Sequence, residues 1–281
     1  MKKYYRFAGI DLEIDIPDHW MYECDRYLAP FRVDSVENPY VFRFEMVPKL
    51  LPPIGECLAN TCGMRVYSDG TRYIGTVEKS WERGYAQVIP NGRYHRVLLK
   101  SSNFVSGVGV NQVLTALGAE HLIAQNGGFV FHCSYITVDG KAILFTAPSG
   151  TGKSTQAELW NRLRGVPIHN GDRSAVRWVD GQAYACGIPF AGSSQICENM
   201  TLPLGAIVYL RQAPQTTIRR LRGAENFRSL WEGCSVNVWE RADVDRISET
   251  VMQVLSAVPV YELACTPDES AILALEGVLT V

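Results

Sequence analysis

Apolar and polar residues alternate along much of the first hundred residues, which is the pattern of half-buried β-strands. In the stretch VFRFEMV, Phe42, Phe44 and Met46 alternate with Arg43 and Glu45. The pattern predicts strands with one face in a core and one face in water.

Turn-forming dipeptides separate these strand-like stretches. Asp69-Gly70 and Asn91-Gly92 each lie between two of them, and both dipeptides tolerate the positive φ angles of tight hairpins. Gly9 divides YYRFAGIDLEIDI into two further extended pieces, while the proline-rich VPKLLPPIGE predicts a loop. Residues 1–106 are therefore predicted to form a mostly antiparallel, β-rich N-terminal module.

The hydrophobic period changes from two to that of a helix after SSNFVSG. Val110, Val113, Leu114 and Leu117 fall on one helical stripe, and Gly127-Gly128 end the helix before the strand FVFHCSYITV. We place the domain boundary near Gly107, so that residues 107–281 form the second domain.

Further turn signals organise the second domain. Asp139-Gly140 turns the strand that carries His132 back into KAILFT, so these two strands are predicted to pair antiparallel. Asp180-Gly181 predicts another hairpin, GAIVYL and TTIRRL predict strands, and VDRISETVMQVL predicts an amphipathic helix. The last helix is predicted to begin with Thr266 as N-cap and Pro267 in the first helical position.

Composition and charge restrict the class of protein. With 47% apolar and 20% charged residues, the 281-residue chain has the balance of a folded soluble protein. A net charge of -2 gives no overall field for nucleic acid, so an anion site must be local. Charged residues interrupt the N-terminal stretch, and no apolar run reaches membrane-spanning length, so we expect a cytoplasmic protein without a membrane partner.

The eight cysteines lack close paired spacing, which favours reduced thiols over a disulfide framework. Cys57 and Cys62 have no histidine nearby and make a poor zinc site. Cys133 follows His132 on the same strand, so its side chain points to the opposite face and is expected in the core.

The stretch APSGTGKST matches the phosphate-binding pattern G-x-x-x-x-G-K-[ST], with Ala147 in place of the first glycine. An apolar strand precedes it and the helical stretch STQAELWNRL follows, so backbone N–H groups can converge on phosphate oxygens at a helix N-terminus. Lys153 is expected to contact the β- and γ-phosphates of ATP, and the Ser154 hydroxyl to bind Mg²⁺. The predicted nucleotide-binding residues are Ala147, Pro148, Ser149, Gly150, Thr151, Gly152, Lys153, Ser154 and Thr155.

The acid that completes the metal site is expected to be Asp172. The strand GAIVYL is followed by Arg211 and offers no acid, whereas Asp172 lies in HNGDRSAV, eighteen residues after Ser154. An acid near both metal and acceptor is what phosphoryl transfer needs. A surface ion pair with Arg173 is the alternative interpretation of Asp172.

Taken together, HCS, a hairpin, PSGTGKST and GDR resemble the nucleotide-binding core shared by bacterial HPr kinase/phosphorylases and ATP-dependent phosphoenolpyruvate carboxykinases. The resemblance covers residues 128–187 and extends more loosely to the C-terminus. It implies an α/β fold with a P-loop core and a mixed sheet, in which an antiparallel strand lies beside the strand that leads into the turn. Carboxykinases are much longer and need further basic residues that the sequence does not show.

The resemblance implies roles for individual residues. Lys153 and Ser154 match the phosphate and metal positions, His132 the histidine, and Asp172 the second of a pair of aspartates. Gly171 stands where the family has the first aspartate, so either Asp172 or His132 is left as the general base. HPr kinases form oligomers, which implies a homo-oligomer here.

The expected function is an ATP-dependent kinase that transfers the γ-phosphoryl group of Mg-ATP to a hydroxyl, in our first hypothesis a serine of a small protein or peptide. A small-molecule kinase and a non-catalytic nucleotide-binding module are the alternatives. The segment CGIPFAGSSQICENM is either a mobile lid or acceptor-binding edge or an ordinary connection. The arginines of IRRLRG either bind an acidic partner or phosphate, or lie on a solvated strand edge.

Overall fold

The structure, a computed structural model, describes residues 2–17, 24–61, 63–76, 80–104 and 108–279. The chain divides into two compact units, Met1–Ala119 and Glu120–Val281. The predicted boundary at Gly107 lies outside the described residues. Within the described residues there are two nine-stranded sheets and seven α-helices, which confirms the α/β class.

The first unit contains nine strands and two helices in its described part. The strands are β1 (Lys2–Phe7), β2 (Ile10–Asp15), β3 (Arg32–Val33), β4 (Tyr40–Val47), β5 (Cys57–Thr61), β6 (Gly63–Tyr67), β7 (Arg72–Thr76), β8 (Ala86–Asn91) and β9 (Tyr94–Lys100). The helices are α1 (Cys24–Leu28) and α2 (Val110–Leu117). The strands lie in the order β3-β1-β2-β4-β9-β8-β7-β6-β5.

This first sheet is mixed, with a majority of antiparallel pairs. Strand β4 pairs parallel with β2 and with β9, whereas the other neighbours, including the hairpins at Asp69-Gly70 and Asn91-Gly92, pair antiparallel. The sequence predicted the hairpins because each turn is formed by two adjacent residues between two alternating stretches. It did not reveal the parallel pairs, which join strands that are separated along the chain.

The second unit also contains nine strands in its described part, and five helices lie in or border it. The strands are β10 (Gly128–Val138), β11 (Lys141–Thr146), β12 (Ile168–Asn170), β13 (Arg173–Val179), β14 (Gln182–Gly187), β15 (Thr201–Gln212), β16 (Thr217–Arg220), β17 (Cys234–Ser235) and β18 (Val260–Cys265). The helices are α3 (Ala119–Gln125), α4 (Lys153–Arg164), α5 (Gly223–Trp231), α6 (Arg241–Ala257) and α7 (Glu269–Leu279).

Strand β10 lies between β13 and β11, which pair with opposite edges of its first and second halves. Residues 128–132 pair antiparallel with β13, where His132 is opposite Arg173. Residues 133–138 pair antiparallel with β11, where Cys133 is opposite Thr146. The predicted hairpin between the His132 strand and β11 is thus confirmed. The end of β11 and the beginning of β13 lie at the same level along β10, on its opposite edges.

On its other edge β11 is parallel to β15, which is in turn parallel to β18. The carboxyl ends of these three strands therefore lie at one edge of the sheet, the edge at which open α/β sheets bind ligands. Strand β16 borders β18 antiparallel.

Two apolar layers cover the faces of the second sheet. On one face, Phe129 and Phe131 of β10 belong to a buried cluster with Ile247 and Val251 of α6. On the other face, Phe145 of β11 belongs to a second cluster with residues of α4 and α7, including Trp160, Ile272 and Leu275. The helices thereby fix the strands from both sides.

The predicted start of the last helix was wrong. Helix α7 begins at Glu269, because the Asp268 side chain accepts a hydrogen bond from the N–H of Ser270 at 2.9 Å and so acts as the N-cap. The Thr266 hydroxyl donates to Asp268 and does not cap the helix.

The predicted helix after residue 109 is two helices. Gly118 adopts a left-handed conformation, with φ of 66°, between α2 and α3. The apolar stripe is continuous in sequence, but this single glycine ends the first helix.

We predict opposite effects of alanine at two glycines of the second unit. A Cβ at Gly187 would lie 1.8 Å from the carbonyl oxygen of Glu198, whereas a Cβ at Gly277 in α7 would meet nothing within 4 Å. Gly187→Ala should lower the free energy of unfolding by about 1–3 kcal/mol through overpacking. Gly277→Ala should raise it by about 0.5–1 kcal/mol, because alanine favours helix.

Urea denaturation of both variants beside the wild type measures these changes. A Gly187→Ala variant as stable as the wild type would contradict the close packing of Glu198 against the end of β14.

Candidate functional site

The glycine-rich turn, residues 147–152, connects the end of β11 to the first residue of α4. Gly150 and Gly152 have φ angles of 79° and 118°, which disfavour any residue with a Cβ. The space at both Cβ positions is open to 4 Å. The N-terminus of α4 has no side-chain cap, so its first N–H groups lack intrahelical and capping partners and suit an anion.

Lys153 lies across this turn. Its side chain is buried, and its Nζ donates to the carbonyl oxygens of Ala147 at 2.9 Å and Pro148 at 3.4 Å. Burial lowers the pKa of Lys153 below its usual value, while the nearby Asp172 carboxylate acts in the opposite direction. The ammonium group is therefore held where it adds positive charge to the turn.

Ser154 connects the turn to the loop that carries the candidate acid. Its hydroxyl donates to the carbonyl oxygen of Gly171 at 3.3 Å, and Gly171 directly precedes Asp172. A hydroxyl and a carboxylate are the hard oxygen ligands that Mg²⁺ prefers, usually with water and phosphate oxygens completing its shell. Within the described ranges no group of three or more His, Cys, Asp or Glu side chains could hold a metal. Ser154 and Asp172 therefore fit a Mg²⁺ ion whose other ligands are water and phosphate oxygens.

Asp172 lies in the bend between β12 and β13, with a basic group near each carboxylate oxygen. The Nε2 of His132 is 3.5 Å from Oδ1, and the Nε of Arg173 is 3.6 Å from Oδ2. The interaction with His132 lowers the pKa of Asp172 most, partial burial opposes it, and the charge of Arg173 lowers it further. The carboxyl group is therefore ionised at neutral pH.

Backbone and hydroxyl contacts hold His132 and Asp172 together. The N–H of Cys133 donates to the carbonyl oxygen of Asp172 at 3.0 Å, and the Thr146 hydroxyl donates to the carbonyl oxygen of His132 at 3.0 Å. The end of β11, the middle of β10 and the bend before β13 are thus joined. These contacts bring the predicted residues His132, Lys153, Ser154 and Asp172 to one region.

Asn170 shapes the bend and was missed by the sequence analysis. This fully buried side chain accepts hydrogen bonds from the N–H groups of Asp172 and Arg173, at 3.0 and 2.9 Å, and donates to the carbonyl oxygen of Ile188 at 2.9 Å. The signal was present in the sequence, because an asparagine before glycine is typical of turns closed by the side chain.

Arg173 is a second residue whose position the sequence did not show. It contacts Asp172, its Nη1 lies 3.8 Å from Glu120, and its guanidinium lies 5.4 Å from the centre of the Phe190 ring. Adjacent residues of a strand point to opposite faces, but Asp172 precedes β13, so that rule does not apply. Arg173 therefore lies between two carboxylates, that of Asp172 and that of Glu120.

The segment of residues 186–200, predicted as a lid, an acceptor-binding edge or a plain connection, begins with the end of β14 and is then bonded to β12 in this structure. The N–H of Glu198 donates to the carbonyl oxygen of His169 at 2.9 Å, and the Glu198 carboxylate lies 2.6 Å from Nδ1 of His169. An isolated β-bridge joins Asn170 to Cys197. The segment thus packs against the strand that leads to Asp172.

Two glycines, Gly171 and Gly192, allow this packing because they have no side chain. A Cβ at Gly171 would lie 2.1 Å from the Ser194 hydroxyl oxygen, and a Cβ at Gly192 would lie 2.5 Å from the Cβ of Asp172. Ser194 therefore occupies the space that a side chain at position 171 would need. The segment forms one wall beside the acid.

Other candidates from the sequence lie elsewhere or in the core. Cys133 is fully buried, and burial raises its pKa to about 12, so it behaves as a core residue. Arg219 pairs with Glu225 at 2.8 Å and Glu262 at 3.0 Å, which is the arrangement of a charged strand edge. Cys57 is exposed, and Cys62 lies outside the described residues.

None of the helices in the described part of the chain combines the length and apolar character needed to cross a bilayer.

Comparison with known proteins gives a weak structural similarity and no similarity in sequence. No protein-family model and no curated protein matches the chain. The HPr(Ser) kinase/phosphatase from Coxiella burnetii is a similar solved structure, with 13% identity and a TM-score of 0.32 over 54% of this chain and 88% of that one. A TM-score this low establishes neither a shared fold core nor an activity.

The geometry around Asp172 predicts a measurable pKa change. In His132→Phe the largest interaction that lowers the pKa of Asp172 is lost, so that pKa should rise toward about 3.9, the ordinary value of an aspartate. In the wild type, the ionised Asp172 stabilises the fold above the unfolded pKa, and this contribution is lost as pH falls through the lower folded pKa. The variant should lose part of this contribution.

NMR titration of the side-chain carboxyl groups measures this pKa directly. His121→Phe is the matched control, since His121 contacts Asp243 and not Asp172. An unchanged Asp172 pKa in His132→Phe would show that the ring does not interact with the carboxylate.

Proposed function

We propose that the second unit is an ATP-dependent kinase with a P-loop core of the HPr-kinase-like type, which transfers the γ-phosphoryl group to a serine hydroxyl of a small protein or peptide. The observation that carries this proposal is the meeting of the glycine-rich turn, His132 and Asp172 at the middle of β10, where β11 ends on one edge and β13 begins on the other. A phosphate-binding turn alone would support only nucleotide binding. An ionised acid beside it supplies the group that an acceptor hydroxyl needs.

In this proposal the turn binds the triphosphate. The N–H groups of residues 149–155 surround the phosphate oxygens, and Lys153 contacts the β- and γ-phosphates from the position in which it now bridges the turn carbonyls. The positive charge of Lys153 stabilises the charge that spreads over the transferring group. Mg²⁺, held by Ser154 and Asp172, would neutralise phosphate charge when bound.

Asp172 binds and orients the acceptor. Its ionised carboxylate accepts a hydrogen bond from the serine hydroxyl, while His132 and Arg173 fix its orientation. As the bond between the γ-phosphorus and the bridging oxygen breaks, the serine oxygen bonds to phosphorus and its proton passes to Asp172. ADP leaves with the electron pair of the broken bond.

We expect Asp172→Asn to lower the rate of phosphoryl transfer by about 10²–10⁴-fold, the usual contribution of a positioned acid or base. Binding of ATP should change much less, because the turn supplies most contacts to the phosphates. Phosphorylation of peptides in an array, each serine peptide paired with its alanine counterpart, measures transfer. Asp245→Asn is the control, since Asp245 is an exposed residue on α6.

The outcomes distinguish the possible functions. The proposal is supported if serine peptides are phosphorylated by the wild type and much more slowly by Asp172→Asn. Label only on glycerol or free serine would show a small-molecule kinase, and ATP binding without transfer to any acceptor would show a non-catalytic module. Equal rates in the wild type and Asp172→Asn would remove Asp172 from the reaction.

The metal dependence gives a separate prediction. EDTA should abolish ATP turnover, and Ser154→Ala should raise the Mg²⁺ concentration needed for half-maximal turnover, because one oxygen ligand is lost. Ser256→Ala, at an exposed position of α6, is the matched serine control. Turnover measured against Mg²⁺ concentration checks this, and identical Mg²⁺ curves for the wild type and Ser154→Ala would contradict the assignment.

A further inference from the structure

The first unit contains a cavity of its own, which the proposed kinase site does not use. It has a volume of about 430 Å³, within the range of ligand-binding cavities. Three parts of the chain line it: the loop after β4 with residues 48–50, the short 3₁₀ turn before β8 with residues 81–83, and Lys100 at the end of β9. We call it the Trp81 cavity.

Buried polar groups hold the loop after β4 in place. The N–H of Leu51 donates to Oε1 of Gln87 in β8 at 2.9 Å, and the Tyr73 hydroxyl of β7 donates to the carbonyl oxygen of Leu51 at 2.7 Å. Gln87 and Tyr73 are buried and bonded to each other at 2.9 Å. A wall fixed in this way needs little ordering when a ligand binds.

Trp81 forms the apolar side of the cavity. Its ring centre lies 5.5 Å from that of Tyr73, and it packs against a buried cluster that includes Leu50. Because Trp81 is only partly buried, some of its ring surface is accessible to a ligand. Aromatic side chains placed in this way are common anchors of binding surfaces.

The rim of the cavity is positively charged. Lys49, Arg83 and Lys100 line it, and Glu82 is the acid among its described lining residues. The Nζ of Lys100 donates to the backbone carbonyl oxygen of Glu82 at 3.0 Å, a neutral group that does not cancel the charge of the lysine. Three cations beside one carboxylate attract an anion, although the whole chain has a net charge of -2.

Exposed apolar side chains follow the cavity along the chain. Leu51 and Ile54, in the same loop, are 47% and 74% exposed, and Leu58 in the edge strand β5 is 58% exposed. Such a concentration of large exposed apolar residues in one short stretch indicates an interaction surface. A small anion would use the cavity alone, whereas a peptide with an acidic residue between apolar residues would use both features.

We propose that the Trp81 cavity is a docking site for an extended peptide segment in which an acidic residue lies between apolar residues. The acidic side chain contacts Lys49 and Lys100, and its apolar neighbours pack on Trp81, Leu51 and Ile54. This inference rests on the proposed function, because the docked segment belongs to the peptide whose serine is phosphorylated. It gives the acceptor an acidic, apolar segment in addition to its serine.

Fluorescence anisotropy of the full chain without nucleotide tests the docking directly. The probe is a short fluorescein-labelled peptide with glutamates among leucines, and its counterpart has glutamine in place of each glutamate. The wild type should bind the glutamate peptide at least about tenfold more tightly, and added salt should reduce this difference.

A charge reversal in the rim should remove the preference for glutamate. Lys49→Glu should weaken binding of the glutamate peptide about tenfold and leave the glutamine peptide within about twofold, because only the charged peptide is repelled. Lys141→Glu is the matched control, since Lys141 is an exposed residue of β11 and does not line the cavity. It should bind both peptides as the wild type does.

The outcomes separate this inference from the proposed function. Equal affinities of the wild type for the two peptides, no binding of the glutamate peptide, or wild-type affinity in Lys49→Glu would each overturn the inference. None of these results bears on phosphoryl transfer, because the assay contains no nucleotide. Tight docking without transfer to any serine peptide would instead overturn the proposed function and leave the cavity as a peptide site.

The connection to the acceptor has its own measurement. With a serine peptide that carries the same glutamate and leucine segment, Lys49→Glu should raise KM about tenfold and leave kcat within about twofold, because docking contributes to binding and not to the transfer step. An unchanged KM would show that the docked peptide is not the acceptor and would overturn that part of the inference.

A further experiment needs no variant. Addition of the glutamate peptide to ¹⁵N-labelled wild type should shift the backbone N–H signals of residues 49–51 and 81–83 and of Lys100 in NMR spectra. The glutamine peptide should shift them much less at the same concentration. Shifts confined to other parts of the chain would overturn the assignment of the docking site to the Trp81 cavity.

Discussion

The site depends on one constraint in the second sheet, the position of β10 between β11 and β13. This strand is long enough to serve β13 with its first half and β11 with its second half. Because β11 ends and β13 begins at the level of His132 and Cys133, their ends lie on opposite edges of β10 at the same point along it. One of these strands leads into the glycine-rich turn and the other follows Asp172, so the two hydrogen-bond ladders bring the proposed phosphate-binding turn and an acid to the same stretch of β10.

The same strand separates the polar site from the core. Successive side chains of β10 point to opposite faces, so Cys133 enters the apolar cluster under α6 while His132 faces Asp172. Helix α6 on one face, and α4 and α7 on the other, bury the sheet. A site at the junction of well-packed strands keeps its geometry better than one carried by loops, which phosphoryl transfer requires because its catalysis depends on positioning.

The sequence predicted those parts of the fold that short stretches determine. Asp139-Gly140 and Asp180-Gly181 turn the chain with both residues at positive φ, and each hairpin forms where these dipeptides stand. The parallel pairs of β4 and the pairing of β10 with β13 could not be predicted from short stretches, because they join residues distant in sequence. For the same reason the sequence showed Gly171 as a departure from a family pattern, but not that Ser194 fills its space.

Local charge explains how a chain with net charge -2 can offer an anion site. Lys153 and the capless N-terminus of α4 present positive potential at the turn, and Arg173 lies one residue beyond the acid. Asp172 remains ionised among these cations because they stabilise its charge, and Glu120 balances Arg173 on its far side. The positive potential is therefore concentrated at the turn. On the side of the Asp172 carboxylate, the negative charge favours a neutral hydroxyl over a second anion.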